Sequence, residues 1–251
     1  MHGPTTVVLA CALALGRAVA APAHCAAQDH HQEEEGLHFS HPLITESITP
    51  DTKVRVNFLD AAPGGGEVEA GGEYAFRRTF SIEVELPYDL EESAVGNLDV
   101  NLKLANYAFE ESSVLIGYGA GFGLPTAAGV ADNSLELSPF VDAGFQRAGW
   151  EFTGWAQLDT RSAGTAGLGP ELGLFASALY HVAPRVQAIL EYDGHTTPWS
   201  RYSTTGLHEL TPGIKLRPFP DPHILLGAGL SLPFGGGPYD RRLIVSGFYH
   251  F

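Results

Sequence analysis

Polar and apolar residues alternate one by one over most of the chain after residue 51. The clearest examples are KVRVNF at 53–58, TFSIEVEL at 79–86 and NLDVNLKLA at 97–105. Successive side chains of a β-strand point to opposite faces, so each segment would have one apolar face and one polar face. About twelve such segments follow one another, and the spacing of an amphipathic helix is almost absent. The pattern therefore predicts an all-β protein.

The connections between these segments alternate in length. Short ones fall near Arg78, Arg147 and Pro184, and longer ones include AAPGGGEVEAG at 61–71 and DGHTTPWSRYSTTG at 193–206. This alternation is typical of membrane barrels, which have short periplasmic turns and longer outer loops. We predict a single transmembrane antiparallel up-and-down β-barrel of about 12 strands. The pattern does not separate ten strands from twelve.

A soluble β-sandwich also alternates, so it is the competing interpretation. A sandwich would need a second sheet to cover the apolar faces, yet the opposite faces carry charges throughout. Aromatic residues also collect where the lipid-facing surface would meet the periplasmic interface, as in a membrane girdle. They are Phe80, Phe145, Trp150, Tyr180, Tyr249 and Phe251.

Three regions divide the chain. Residues 1–27 are predicted to be a signal peptide, because TVVLACALALG is a short apolar core followed by small-residue cleavage sites. Residues 28–51 are polar and rich in His and Glu, and we predict an irregular periplasmic N-terminal arm. Residues 52–251 would form the barrel. Both cysteines, Cys11 and Cys25, precede position 28.

The last strand, LIVSGFYHF at 243–251, ends on an aromatic residue. It resembles the carboxy-terminal strand of Gram-negative outer-membrane proteins, with Tyr249 and Phe251 as the assembly signal. That resemblance implies outer-membrane lipid and the barrel-assembly machinery as partners. HFSHPLITESITPDTKVRVNF at 38–58 resembles the start of putative transporters of the MetA-pathway phenol-degradation family. This second resemblance implies passage of aromatic or other hydrophobic solutes and brings no catalytic residues.

Composition excludes two classes of protein. The formal net charge is −15, whereas a nucleic-acid-binding surface needs a basic footprint, so we expect no nucleic-acid partner. A hydrophobic content of 44% with mean hydropathy near zero argues against a polytopic helical membrane protein.

The inward positions of the predicted strands carry charges of both signs, so the lumen would be either wet or densely paired. The predicted lumen-lining residues are Lys53, Arg55, Glu83, Glu85, Asp99, Lys103, Glu136, Asp142, Glu151, Trp155, Asp159, Arg185, Glu191 and Lys215. Acids outnumber bases, which favours cations. We expect a channel for passive passage of small solutes, either cations or hydrophobic and aromatic compounds.

Two strands present mostly small residues inward: Gly117, Gly119 and Gly121 in one, and Gly227, Gly229 and Ser231 in the other. Glycine at such positions suggests room, or close approach of another segment. The residues allow a narrow pore, barrel curvature or an arm that plugs the lumen, and the sequence leaves these alternatives open.

Metal binding is the alternative function. The arm offers His30, His31, His38 and His41 together with three glutamates, and imidazole and carboxylate groups suit zinc, copper or nickel. The spacing matches no closed structural site, and a solvated polar leader explains the same residues.

A hydrolase is the less favoured alternative. His195 lies near Ser200 and Ser203 in a predicted outer loop. A Ser–His pair also needs hydrogen-bonding contact and an oxyanion site, and no motif supplies them. We therefore expect no enzyme activity and no cofactor.

Overall fold

Antiparallel strands form most of the regular structure of this protein. The computed structural model describes residues 36–126, 134–161, 170–197, 206–221, 223–234 and 237–251. Its strands are β1 Lys53–Ala62, β2 Gly66–Arg77, β3 Phe80–Asp89, β4 Ala94–Val95, β5 Leu98–Asn106, β6 Val114–Leu124, β7 Glu136–Arg147, β8 Trp150–Arg161, β9 Glu171–Ala183, β10 Val186–Thr196, β11 Leu207–Leu216, β12 Ile224–Phe234 and β13 Arg241–His250. A 3₁₀ turn at Glu110–Ser112 precedes β6.

The sheet closes on itself. Each long strand pairs antiparallel with its neighbours in the chain, and β1 pairs with both β2 and β13. Lys53 lies opposite His250 and Ala62 lies opposite Arg241, so β1 and β13 are paired along their whole lengths. The two-residue β4 only extends the edge of β3. The twelve long strands therefore form a closed antiparallel barrel, which confirms the predicted fold class.

The end of the barrel at which β1 begins and β13 ends is here called the terminal end; it has two-residue turns after β2, β7 and β9 and seven-residue connections after β5 and β11. Ala148 and Gly149 form a two-residue turn between β7 and β8, and both have positive φ, as a tight hairpin of this twist requires. The strand ends at the opposite, loop end are joined by eight to eleven residues after β3, β6, β8 and β10 and by six residues after β12. The first connection differs from the prediction: only residues 63–65 link β1 to β2, because the glycine-rich residues after Gly66 pair with β1.

The two faces of the wall have opposite character. Apolar side chains such as Val141, Leu226 and Val245 are exposed on the outside, while Lys53, Glu83 and their inward neighbours are buried. Phe145, Trp150, Tyr180, Tyr249 and Phe251 are exposed near the terminal end, at the positions expected for an aromatic girdle. No helix in the described residues is long and apolar enough to cross a membrane.

The described part of the arm, residues 36–51, is irregular and lies inside the barrel rather than outside it. Phe39, Leu43 and Ile48 are almost completely buried. Leu43 packs with the wall residues Leu179, Ile189 and Ile244, and Phe39 packs with Leu115. The only apolar clusters among the described residues thus form between the arm and the inner wall.

Candidate functional site

Glycines of the wall make room for Leu43. A Cβ atom at Gly213, Gly227 or Gly229 would lie 2.6, 2.4 or 2.9 Å from a δ-carbon of Leu43. Distances below about 3 Å are not tolerated between carbon atoms, so any larger residue would push the arm away. These glycines therefore serve close approach of the arm at this level of the barrel.

Carboxylates of the wall bind the backbone of the arm. Glu191 accepts hydrogen bonds from the amides of Leu43 at 2.9 Å and Ile44 at 3.1 Å. Glu151 accepts one from the amide of Ser40 at 2.7 Å. An irregular segment leaves many backbone amides without partners, and charged acceptors satisfy them more strongly than neutral ones. These two predicted lumen residues thus hold the arm.

Glu46 joins the arm to the basic residues of the lumen. Its carboxylate lies 2.7 Å from Nη1 of Arg55 and 2.9 Å from Nζ of Lys103. Lys103 also contacts Glu83 at 2.7 Å, and Lys53 contacts Glu73 at 2.8 Å. Burial alone would raise the pKa of Glu46, but Arg55 and Lys103 hold it well below its usual range. The lumen is densely paired where the arm passes through it.

A cavity of about 380 Å³ lies on the loop-end side of residues 43–46. Arm residues Leu43 to Glu46 line one side, and strand residues from the loop-end half of the barrel line the rest. Among the described residues, seven carboxylates line it: Glu46, Glu67, Glu69, Glu85, Asp99, Glu136 and Asp193. Arg55 and Arg242 are the two guanidinium groups beside them, so the cavity carries an excess of negative charge.

Aromatic rings form one side of the same cavity. Trp155 and Phe175 line it, and Trp155 stacks on the buried Phe140 with ring centroids 4.0 Å apart. The faces of aromatic rings attract cations, most strongly where water is partly excluded. The cavity therefore combines two features that can bind positive charge, carboxylates and aromatic rings.

Three histidines converge on one aspartate at the terminal end. Nδ1 of His250 lies 2.6 Å from Oδ2 of Asp51, Nε2 of His41 lies 3.2 Å from it, and Nε2 of His38 lies 3.8 Å from it. Burial alone would raise the pKa of Asp51, but the hydrogen bonds from His250 and His41, together with the nearby imidazole of His38, hold it well below its usual range. Burial, and then the charge of Lys53, lower the pKa of His41.

The predicted lumen residues occupy three environments. Arg55, Glu85, Asp99, Glu136 and Trp155 line the cavity. Buried positions on the inner wall hold Lys53, Arg55, Glu83, Lys103, Asp142, Glu151, Asp159, Glu191 and Lys215. Arg185 was predicted in the lumen, but it lies in an exposed turn. The strand begins only at Val186, since Pro184 cannot donate to the sheet and the alternation stops there.

The alternative sites are only partly within the described residues. His30 and His31 lie outside them, whereas His38 and His41 meet at Asp51. His195 contacts Asp193 at 3.0 Å and Glu171 at 2.7 Å, and Ser200 and Ser203 lie outside the described residues.

Sequence reasoning missed several residues of these sites. Leu43, Glu46 and Asp51 lie in a segment without periodicity, so no pattern indicated which of its side chains turn toward the wall. Alternation did place His250 on the inward face of the last strand, but nothing in the sequence indicated that it meets His41. Glu67 and Glu69 fell in the predicted loop that is in fact β2.

The fold is that of outer-membrane porins and channels. No family model matches the chain, and no curated protein matches it significantly. Solved structures do match. They include the NanC porin, at 10% identity with a TM-score of 0.62, covering 80% of this chain and 99% of that one.

Two further structures show the same likeness. An outer-membrane channel from Pseudomonas putida F1 matches at 13% identity with a TM-score of 0.60, covering 86% of this chain and 98% of that one. The KdgM porin, solved in complex with disordered oligogalacturonate, matches at 11% identity with a TM-score of 0.60, covering 79% and 99%. At these identities the likeness shows the fold.

Proposed function

We propose that this protein is a channel of the bacterial outer membrane that passes small, positively charged solutes, and that the arm is its gate. The observation that carries the proposal is the acidic cavity of about 380 Å³ inside a closed barrel, with the arm as its floor. The arm lies across the path of the solute: a solute that enters the cavity must pass residues 43–46 to reach the terminal end.

The outer wall supports the membrane location. Leucine, valine and aromatic side chains are exposed around the barrel, and such a surface in water would be a large aggregation liability. A closed barrel also satisfies every strand hydrogen bond internally, as the hydrocarbon core of a bilayer requires. The likeness to porins and the predicted signal peptide agree with this location.

The charge of the cavity supports cation selectivity. Among the described residues, seven carboxylates and two guanidinium groups line the cavity, and the low-dielectric wall focuses their field on the solute. Trp155 and Phe175 add ring faces that favour organic ammonium groups in particular. The resemblance to MetA-pathway transporters suggests neutral aromatic solutes instead, and these would use the same two rings without the carboxylates.

The contacts of the arm support a gate. It is held by hydrogen bonds to Glu151 and Glu191, by the ion pairs of Glu46 and by a few apolar side chains. It has no backbone pairing with the wall that would make it a thirteenth long strand. A segment held by contacts that involve side chains, without backbone pairing to the wall among the described residues, can leave the lumen without breaking the hydrogen bonds between the strands.

Planar-bilayer conductance of the mature chain, refolded in detergent and measured across a salt gradient, tests the proposal. We expect discrete steps with a reversal potential of cation-selective sign, and more frequent openings for Leu43→Ala. The double variant Asp99→Asn/Glu136→Gln should move the reversal potential toward zero. Glu111→Gln is the matched control, because Glu111 is exposed in a turn at the terminal end.

Two results would contradict the proposal. Silence from both the folded wild-type barrel and Leu43→Ala would exclude a channel gated by the arm. Conductance without cation selectivity, unchanged by the double variant, would leave a channel but refute the role of the acidic cavity. Competition by neutral phenols in that second case would favour the aromatic solutes.

A further inference from the structure

The cluster of His38, His41, His250 and Asp51 has no part in the proposed passage of solutes. It lies at the terminal end of the barrel, on the other side of the arm from the acidic cavity. His38, His41 and Asp51 belong to the arm, Asp51 lies two residues before β1, and His250 is the last residue of β13. Residues that are distant in the sequence therefore meet at one carboxylate oxygen.

The distances in this cluster are those of a metal site. In a tetrahedral site with ligands at about 2.0–2.1 Å from the ion, neighbouring donor atoms are about 3.3 Å apart. The three histidine nitrogens lie 2.6, 3.2 and 3.8 Å from Oδ2 of Asp51. Donor atoms of His41, Asp51 and His250 all lie within 4.8 Å of one another. These three donors can surround one ion, and a rotation of the exposed His38 side chain would add a fourth.

We propose that this cluster binds a divalent transition-metal ion of the zinc class, with His38, His41, His250 and Asp51 as its four ligands. Three imidazoles and one carboxylate suit zinc, copper or nickel, whereas calcium and magnesium need mainly oxygen ligands. The ion would replace the hydrogen bonds from the histidines to Asp51: each imidazole would bind in its neutral form through the nitrogen that now faces Asp51, and only a charged imidazolium would release a proton to solvent.

The surroundings are compatible with a bound cation. Lys53 is the nearest positive group, with Nζ 2.7 Å from Nδ1 of His41. Its charge is balanced by Glu73 at 2.8 Å, and Glu83 lies 4.0 Å away. Nζ also lies 3.5 Å from Nε2 of His41, the atom that faces Asp51, so the two buried carboxylates offset the ammonium charge beside the site.

An ion can reach the site from the terminal end. The side chain of His38 is 55% exposed, and Asp51 and His250 are each 21% exposed. His41 is buried beneath them. A bound ion would link the arm directly to β13, because His38 and His41 belong to the arm and His250 belongs to β13.

Titration calorimetry of the full mature chain with Zn²⁺, in detergent and in a buffer that does not bind metal, tests the proposal. We expect one ion per chain. Asp51→Asn and His250→Ala should each weaken binding by at least about 10- to 100-fold, the loss seen when even an outer-shell partner of a metal is removed. Co²⁺ should give the visible absorption of a tetrahedral complex in the wild type and lose it in both variants.

Two controls locate the site. His208→Ala changes a histidine at the loop end that contacts Tyr192, and it should leave Zn²⁺ binding unchanged. His30→Ala/His31→Ala should also leave it unchanged, which separates this cluster from the histidines earlier in the arm. Gel mobility before and after heating shows whether each variant forms a folded barrel. If His250→Ala does not fold, His38→Gln provides the same test at an exposed position.

The outcomes are distinct. No binding of Zn²⁺ by the folded wild type, or binding that survives both Asp51→Asn and His250→Ala, overturns the proposal. Loss of binding only in His30→Ala/His31→Ala would assign the metal to the earlier histidines instead. None of these results depends on conductance. The proposed metal site can therefore be refuted without refuting the proposed channel, and the channel can be refuted without refuting the metal site.

Discussion

Leu43→Ala tests whether the arm leaves the lumen as one unit. Leu43 is 1% exposed and packs against Leu179, Ile189 and Ile244, where wall glycines admit it. Replacing a buried leucine with alanine costs about 2–5 kcal/mol in a packed site, depending on how far the surroundings relax. Since every 1.4 kcal/mol is a factor of ten, the population with the arm undocked should rise roughly 30-fold to several thousand-fold.

Hydrogen exchange measured by mass spectrometry follows this population directly. The amides of Leu43 and Ile44 are hydrogen-bonded to Glu191, so they exchange only when the arm undocks. Peptides covering residues 37–51 should lose protection in Leu43→Ala by the factor given above. Peptides from β9 and β10 should keep the protection of the wild type.

Leu226→Ala is the matched control, because Leu226 is 45% exposed on the outer surface of β12, next to Gly227. It removes the same atoms without touching the arm and should leave the exchange of residues 37–51 unchanged. Unchanged protection of the arm in Leu43→Ala would refute the reasoning. Equal loss of protection in β10 would also refute it, since the arm would then open only with the barrel.

Four further substitutions give separate results. Gly227→Val should expose the arm to added protease in the folded barrel, because a Cβ atom there would lie 2.4 Å from Leu43; resistance equal to the wild type would count against the close approach. Glu191→Gln should speed exchange of the amides at 43 and 44, since a neutral acceptor binds them more weakly. Val141→Lys places a charge on the outer wall and should destabilise the barrel in lipid vesicles by about 2–4 kcal/mol, as measured by urea unfolding; no effect would argue against a lipid-facing surface. Phe251→Ala should lower the yield of assembled barrel in cells while refolding in detergent proceeds normally, and equal yields in cells would remove its role as an assembly signal.

The alternation of polar and apolar residues by itself determined that the chain forms a barrel and which side chains point inward. A strand's side chains alternate whatever lies beyond it, so the period of two in 79–86 or 97–105 specifies the inward charges and the outward apolar residues without further information. The same alternation placed Glu83, Lys103 and Glu191 on the inner wall. It failed at Arg185, where a proline ends the pattern, and at residues 66–71, where glycines resembled a loop although they pair with β1.

Only the tertiary structure decided what the inward side chains contact. The arm has no periodicity, and its position depends on contacts with residues more than a hundred positions away, such as Leu43 with Glu191. The same holds for His41 and His250, which are 209 positions apart in number yet share Asp51. A closed barrel brings its first and last strands together, so sites at that seam combine the two ends of the chain. The spacing of residues in the sequence does not indicate this closure, because the closure arises from hydrogen bonds between β1 and β13.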